Sequence, residues 1–227
     1  MIVELKDIFK SYSEGEDNPR RNILDSFNLL INFDESISIV GPSGCGKTTL
    51  LNILGTLDKP DSGQVIFKGE LVTHMNDDQL SKLRAEKIGF IFQSHYLLPQ
   101  ISVIENVILP TLAVNRKQNN SIIFDEAESL LSQVGLKKQA HKFPSQLSGG
   151  EKQRVAIVRS LINKPNLVLA DEPTGSLDKS RGEDIIDLLK SLCVNNQTSL
   201  VVVTHDVEIA SQMKRRLCYK NYDFIES

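Results

Sequence analysis

Apolar positions change their period along the chain. Residues 2 to 9 and 23 to 33 alternate loosely between apolar and polar side chains, as antiparallel strands do. The polar run from Ser13 to Arg21, with Gly15 and Pro19, predicts a loop or extended hairpin tip between them. Ser36 to Val40 reads as a short buried strand. From Thr48 to Leu57, apolar residues at 50, 51, 53, 54 and 57 predict a helix. Pro60-Asp61-Ser62-Gly63 is a turn signal, and Gln64 to Lys68 reads as a further strand.

The middle of the chain has a different character. Residues 77 to 87 are polar and favour helix, and Ile88-Gly89-Phe90-Ile91-Phe92 is a short apolar strand. From Leu97 to about Pro165 the pattern is mostly helical, broken at Pro99, Pro110, Gly135 and Pro144, with residues 115 to 121 a polar surface connection. Strands and helices then return. Asn166 to Ala170 is a buried strand, Arg181 to Leu192 a helix, and Ser199 to Thr204 a β-branched strand. Alternation of strand and helix argues for a mainly parallel sheet.

Composition narrows the function classes. The 227 residues are 40% hydrophobic and 24% charged, an ordinary globular balance with room for one sizeable core or one core plus a subdomain. A formal charge of −3 gives no bulk affinity for nucleic acid. No apolar run reaches the roughly 18 residues that cross a bilayer. The N-terminus, Met1-Ile2-Val3-Glu4-Leu5-Lys6-Asp7, lacks the basic-then-apolar order of a signal peptide. A chain that stays in the cytosol, with a partner for any membrane role, is the expectation. Cys45, Cys193 and Cys218 are odd in number and scattered, and read as reduced thiols.

Candidate chemistry is concentrated in Gly41-Pro42-Ser43-Gly44-Cys45-Gly46-Lys47-Thr48-Thr49. Gly41 to Thr48 fits the phosphate-loop pattern Gly-x-x-x-x-Gly-Lys-Ser/Thr. The glycines let successive N–H groups turn inward on a polyphosphate, Lys47 supplies a point charge, and the Thr48 hydroxyl suits Mg²⁺. A strand before the loop and a helix after it give the required context, with the helix N-terminus aimed at the phosphates. Cys45 sits near that N-terminus, where a thiol pKa can fall, but it reads better as filling a tolerant position.

A second region bears on the first. Leu169-Ala170-Asp171-Glu172 places two carboxylates at the end of an apolar strand. Alone this is a common solvated pair. Behind a phosphate loop, Asp171 fits the Mg²⁺ shell and Glu172 fits a general base for water. Leu147-Ser148-Gly149-Gly150-Glu151 opens an amphipathic helix from Lys152 to Ile162; Ser148 caps it, and the glycines let a ligand approach the backbone.

Together these strings resemble the nucleotide-binding subunit of ABC transporters, over nearly the whole chain. The resemblance implies an α/β fold: a P-loop NTPase core with a mainly parallel sheet, an N-terminal antiparallel β-subdomain and an inserted α-helical subdomain. Residues 1–227 would form a single nucleotide-binding domain, with the core at about 1–92 and 166–227 and the helical subdomain at about 93–165. It implies ATP and Mg²⁺ as ligands, held by the loop residues 41 to 49, and a homodimer in which Ser148, Gly149 and Gly150 close over the γ-phosphate of the partner copy. Gln93 matches the glutamine that reaches Mg²⁺ and water and senses the membrane partner. Asp178, in Ser176-Leu177-Asp178, matches the loop that crosses the dimer interface. His205 matches the histidine that contacts the γ-phosphate, and Tyr12 the aromatic that stacks on adenine. Metal contacts fall to Thr48, Gln93 and Asp171. The expected partners are integral membrane permease subunits, with no nucleic acid and no direct cargo contact, at the cytoplasmic face of the inner membrane.

The strings Gly55 to Gly63, Ile88 to Gln93, Glu105-Asn106-Val107 and Ala170 to Asp178 are similar to one branch of the family, which holds lipoprotein-releasing, macrolide-efflux and cell-division systems. Members of that branch push on membrane subunits with large extracytoplasmic domains. His95-Tyr96-Leu97-Leu98-Pro99 looks most like the lipoprotein-releasing members, although those residues border the partner and touch no cargo. Two positions depart from the family pattern. Asp34 stands where glycine is usual, for which a local backbone adjustment is expected because Asp tolerates left-handed geometry. Lys220-Asn221-Tyr222-Asp223 replaces the usual Asp-Gly hairpin turn, which leaves the last strand pair open. Rival readings are a soluble ABC ATPase of ribosomes or DNA repair, a nucleotide-gated binding module, and a small-molecule kinase. Each lacks support in turn: no tandem domain or long coiled-coil insertion, intact Glu172 and His205, and the Leu147–Glu151 string.

Overall fold

The computed structural model describes residues 1–13, 20–114, 120–220 and 223–226. Strands β1 (Val3–Tyr12), β2 (Arg21–Ile31), β4 (Ser62–Phe67) and β5 (Glu70–Leu71) form an antiparallel sheet of order β2-β1-β4-β5. A second sheet runs β10-β9-β3-β8-β7-β6, from β3 (Ser36–Val40), β6 (Ile88–Phe92), β7 (Leu167–Asp171), β8 (Ser199–Thr204), β9 (Arg215–Lys220) and β10 (Asp223–Glu226). Its strands are parallel except β10, which pairs antiparallel with β9. The helices are α1 (Lys47–Leu54), α2 (Asp77–Lys87), α3 (Val103–Ile108), α4 (Asn120–Gln133), α5 (Gly149–Leu161), α6 (Lys179–Asn195) and α7 (Val207–Ser211).

The continuous apolar runs predicted for central strands divide by parity. Leu167, Leu169, Val201 and Val203 face a core shared with α1 and the antiparallel sheet. Val168, Ala170, Leu200 and Val202 face a second core shared with α3, α5 and α6. Side chains alternate across a strand, so a strand between two layers must be apolar at every position.

Helix starts follow their caps. Asn76 with Gln79, Ser102 with Glu105 and Ser148 with Glu151 form capping boxes, and Asp178 caps α6. Such caps contribute about 1 kcal/mol each. The exception is α1, which starts after Gly46 at φ 101° with no side-chain cap, so its first N–H groups stay open.

Some boundaries differ from expectation. The first helix stops at Leu54, not Leu57, because Thr56 turns left-handed at φ 56° and Gly55 lies against Phe90. The helix predicted from Arg181 begins at Lys179, behind its Asp178 cap. The stretch from 97 to 165 holds α3, α4 and α5 but also short 3₁₀ turns and irregular chain. Asp34 adopts φ 55°, the local adjustment expected there. Lys220 pairs with Asp223, so the last strand pair forms without the usual turn residues. The turn itself lies outside the described residues, as do positions 14–19 of the predicted hairpin tip and 115–119 of the polar connection. Among the described residues no helix is long and apolar enough to cross a membrane.

Candidate functional site

The phosphate loop leaves the C-terminal end of β3 and enters α1. Its shape depends on glycine at specific points. A Cβ at Gly41 would lie 2.6 Å from Cys45 Sγ and 2.7 Å from Tyr219 Cβ, and Gly44 has φ 77°. Lys47 is buried, and its ammonium donates to the carbonyls of Gly41 and Pro42 at 2.7 and 2.9 Å. An ammonium has three donors, so one remains for a ligand. Pro42, Ser43, Gly44 and Thr48 are exposed, Thr49 is half-buried, and Cys45 is buried under the loop. Arg21 on β2 donates to the Gly44 carbonyl at 3.2 Å and ties the loop to the antiparallel sheet.

Beside it, at the end of β7, the Thr48 hydroxyl donates to Asp171 Oδ2 at 3.1 Å. Burial pushes the Asp171 carboxyl above its usual range; the neighbouring Glu172 charge adds to this, while Thr48 and Lys47 oppose it. A hard-oxygen pair of this kind, with Asp171 half-buried and Thr48 open to solvent, suits a divalent cation.

Glu172 follows with φ 46°, a left-handed geometry rare for glutamate. Its N–H donates to Val203 O at 2.9 Å and its carbonyl accepts from Gly175 N–H at 3.0 Å, which fixes the strained turn. One carboxylate oxygen lies 2.9 Å from His205 Nδ1. The other is buried with no partner among the described residues. A buried carboxylate oxygen left open is costly unless a further group meets it. His205, just before the Asp206 cap of α7, is exposed at its ring. Gln93, one residue past β6, packs on the same turn: a Cβ at Gly175 would sit 2.6 Å from Gln93 Nε2.

Tyr12 lies at the side of this constellation. Its hydroxyl donates to Asp58 Oδ2 at 2.5 Å, and Lys10 Nζ stands 5.0 Å from its ring centre. Lys10 itself is buried and bound to Asp58 and to the Lys59 carbonyl.

Ser148, Gly149 and Gly150 stand apart. Ser148 Oγ and N–H both reach Glu151 Oε2 at 2.8 Å, Gly149 lies beside Leu177, and Ser148 and Gly149 are exposed. Among the described residues no hydrogen bond links this turn to the phosphate loop. Asp178 is exposed, capping α6 and pairing with Arg181 at 3.3 Å. The structure thus links Thr48 with Asp171 and Glu172 with His205 beside Lys47, sets Gln93 against the Gly175 turn, keeps Tyr12 to the side on Asp58, and leaves Ser148–Gly150 outside the set. Sequence reasoning missed the contributions of Arg21 and Gly175; for Gly175 the adjoining Glu172-Pro173-Thr174 turn was the available signal.

This fold and loop define an ATP-binding cassette ATPase. Residues 24–175 match the ABC transporter family, and the chain belongs to it as an ATP-hydrolysing subunit. It is homologous to the "Lipoprotein-releasing system ATP-binding protein LolD" of Shewanella frigidimarina, with 42% identity over 97% of this chain and 90% of the relative. It is also 40% identical, over 99% of its length, to "Macrolide export ATP-binding/permease protein MacB" of Pasteurella multocida, of which it spans 34%. In three dimensions it is similar to the ATP-binding cassette MJ0796 in a dimeric post-hydrolysis state bound to ADP and Pi: TM-score 0.89 and 40% identity, over 100% of this chain and 98% of the other.

Proposed function

We propose that the chain hydrolyses MgATP as one half of a homodimer and drives the release of lipoproteins by membrane permease subunits. The observation that carries the hydrolytic part is the open, buried oxygen of Glu172, whose other oxygen meets His205 and whose turn holds Gly175 against Gln93. Residues Gly41 to Thr49 hold the triphosphate through loop N–H groups and Lys47, and Tyr12 stacks on adenine. Thr48, Asp171 and Gln93 would hold Mg²⁺, which supplies charge stabilisation at the β- and γ-phosphates. Glu172 takes a proton from the attacking water as the bond between the γ-phosphorus and the β–γ bridging oxygen breaks, giving ADP and phosphate. Nδ1 of His205 is held by Glu172, which leaves Nε2 for the γ-phosphate.

The dimer reading rests on Ser148, Gly149 and Gly150. Ser148 is capped by Glu151, while among the described residues the N–H groups of Gly149 and Gly150 meet no group of their own chain, as in a turn built for a second copy. The membrane reading rests on an apolar groove of about 420 Å³ lined by Leu57, Arg84, Phe90, Phe92, Pro110 and Arg159. Tyr96, Leu98 and Leu112 are exposed hydrophobics on nearby segments. A helical segment of the permease docks there, placing the chain on the cytoplasmic face of the inner membrane. The segment 93–165 acts as the helical subdomain that carries this motion. Cargo stays with the permease, and nucleic acid has no part.

Likeness to the lipoprotein-releasing relatives favours lipoprotein as cargo. Likeness to the macrolide exporter supports a second reading, an exporter of small molecules or peptides. A tagged Glu172→Gln chain, purified from detergent-solubilised native membranes with ATP, separates them. Co-purification of a few-span protein with a large extracytoplasmic domain, followed by lipoprotein release from vesicles in which that partner is reconstituted with the wild-type chain, is the expected result. A many-span permease overturns the branch, and a soluble partner alone overturns the transporter reading.

A further inference from the structure

Just beyond Gln93 the backbone is strained. His95 and Tyr96 have φ of 60° and 47°, two consecutive left-handed residues without glycine. Such geometry persists only where surrounding contacts enforce it. The enforcing contact is Arg159 on α5. Its Nη1 donates to the Tyr96 carbonyl and its Nη2 to the His95 carbonyl, each at 2.6 Å. No carboxylate pairs with this guanidinium among the described residues, and burial works against its charged form. Those two carbonyls are therefore its anchors. The planar fork matches two adjacent acceptors at once, which a lysine ammonium cannot do.

Arg159 touches both sides of the problem. It lines the apolar groove together with Phe90 and Phe92. Phe92 stacks on Phe90 with ring centres 5.9 Å apart and meets Tyr96 edge-on at 5.3 Å. A body filling the groove meets this aromatic ladder and the guanidinium together. At the other end of the same turn, the Gln93 amide lies against Gly175, in the turn that carries Glu172.

We propose that Arg159 is a positioning residue for hydrolysis: its fork holds the left-handed His95–Tyr96 turn, thereby fixes Gln93 beside Gly175, and passes groove occupancy to Gln93. This rests on the hydrolytic reading of Gln93 given above. A group that acts through another loses its effect once that other group is gone, whereas a merely structural residue does not.

The test is a double-mutant cycle in the full chain, read as kcat and as binding of a fluorescent ATP analogue. Arg159→Lys lowers kcat about tenfold, and Arg159→Met about a hundredfold, the scale of loss from a misplaced reacting group. Nucleotide affinity stays within about twofold, because the phosphate loop is untouched. In a Gln93→Ala background Arg159→Lys changes kcat by less than about twofold. If Arg159→Met does not fold, Arg159→Lys decides. An unchanged kcat in Arg159→Lys, an equal loss with and without Gln93, or a parallel loss of nucleotide affinity overturns the proposal. Should Gln93→Ala alone keep wild-type kcat, the role of Gln93 falls first and the latch falls with it.

Discussion

The phosphate loop and the Ser148–Gly150 turn are both glycine-bearing helix starts, yet they are finished differently. In the loop, Lys47, Thr48 and Arg21 bind groups of the same chain, and Asp171 closes the far side. The second turn satisfies its own cap through Glu151 and faces solvent. A helix start that is capped, glycine-lined and unmet differs from an ordinary surface helix in what it offers, namely open N–H donors with no side chain in the way. The difference teaches that one helix start is bound into its own chain while the other is left open, as the proposed dimer requires.

The strongest way to break this comparison is at Glu172, on the completed side. Glu172→Gln should lower kcat by about 10² to 10⁴ while ATP binding survives, as single-turnover assays with separate binding measurements would register. A near wild-type steady-state rate would remove Glu172 from the chemistry.

Next in size is a mixing experiment that addresses both helix starts. Lys47→Ala loses a charged donor set, and ATP affinity should fall by about ten- to a hundredfold. Gly150→Asp puts a negative charge at an open helix N-terminus, where no neighbouring atom blocks a Cβ, so the chain folds but repels a triphosphate. Each variant alone should be nearly inactive, and an equal mixture should regain about a quarter of wild-type ATPase, since random pairing into two-fold dimers rebuilds one whole site in each mixed pair. No gain on mixing would place both helix starts in the service of one chain.

A smaller effect sharpens the Glu172 side. Gly175→Ala forces a methyl against the Gln93 amide and should cost about tenfold in kcat with nucleotide affinity kept, by displacement of a positioned group. Equal losses in kcat and affinity would point instead to general damage of the turn.

The smallest effect is a pH slope at His95. Burial lowers its imidazole pKa, and Lys152 and Arg159 lower it further. Its unfolded-state pKa is then the higher one, near 6.5. Above that value both states are neutral and the residue adds no slope. As pH falls below it, the unfolded chain takes up the proton first, and stability drops until the lowered folded-state pKa is passed. Urea midpoints compared between wild type and His95→Gln should show a shallower acid-side decline in the variant.

Much of the fold was legible because its signals are local. The β-branched run Ser199–Thr204 became β8 with those bounds, and Ile88–Phe92 became β6. Short elements were not legible. The two-residue β5 and the five-residue α7 carry too few positions for a period to show, and both are held by neighbours in space. The mostly helical reading of 97 to 165 held, with α3, α4 and α5 joined by short 3₁₀ turns whose three to five residues are too few for a period to show.

By itself the sequence determined the phosphate loop, the Ser148 cap, the strand pattern and membership of the ABC family. Those depend on residues close in the chain, whose spacing fixes backbone geometry directly. Tertiary structure alone decided which groups meet. Thr48 and Asp171 are 123 residues apart, Glu172 and His205 are 33 apart, and Arg159 reaches back 64 residues to His95. It also decided the left-handed backbones of Glu172, His95 and Tyr96, none of them glycine. Local preference opposes such conformations, and only contacts from distant segments hold them.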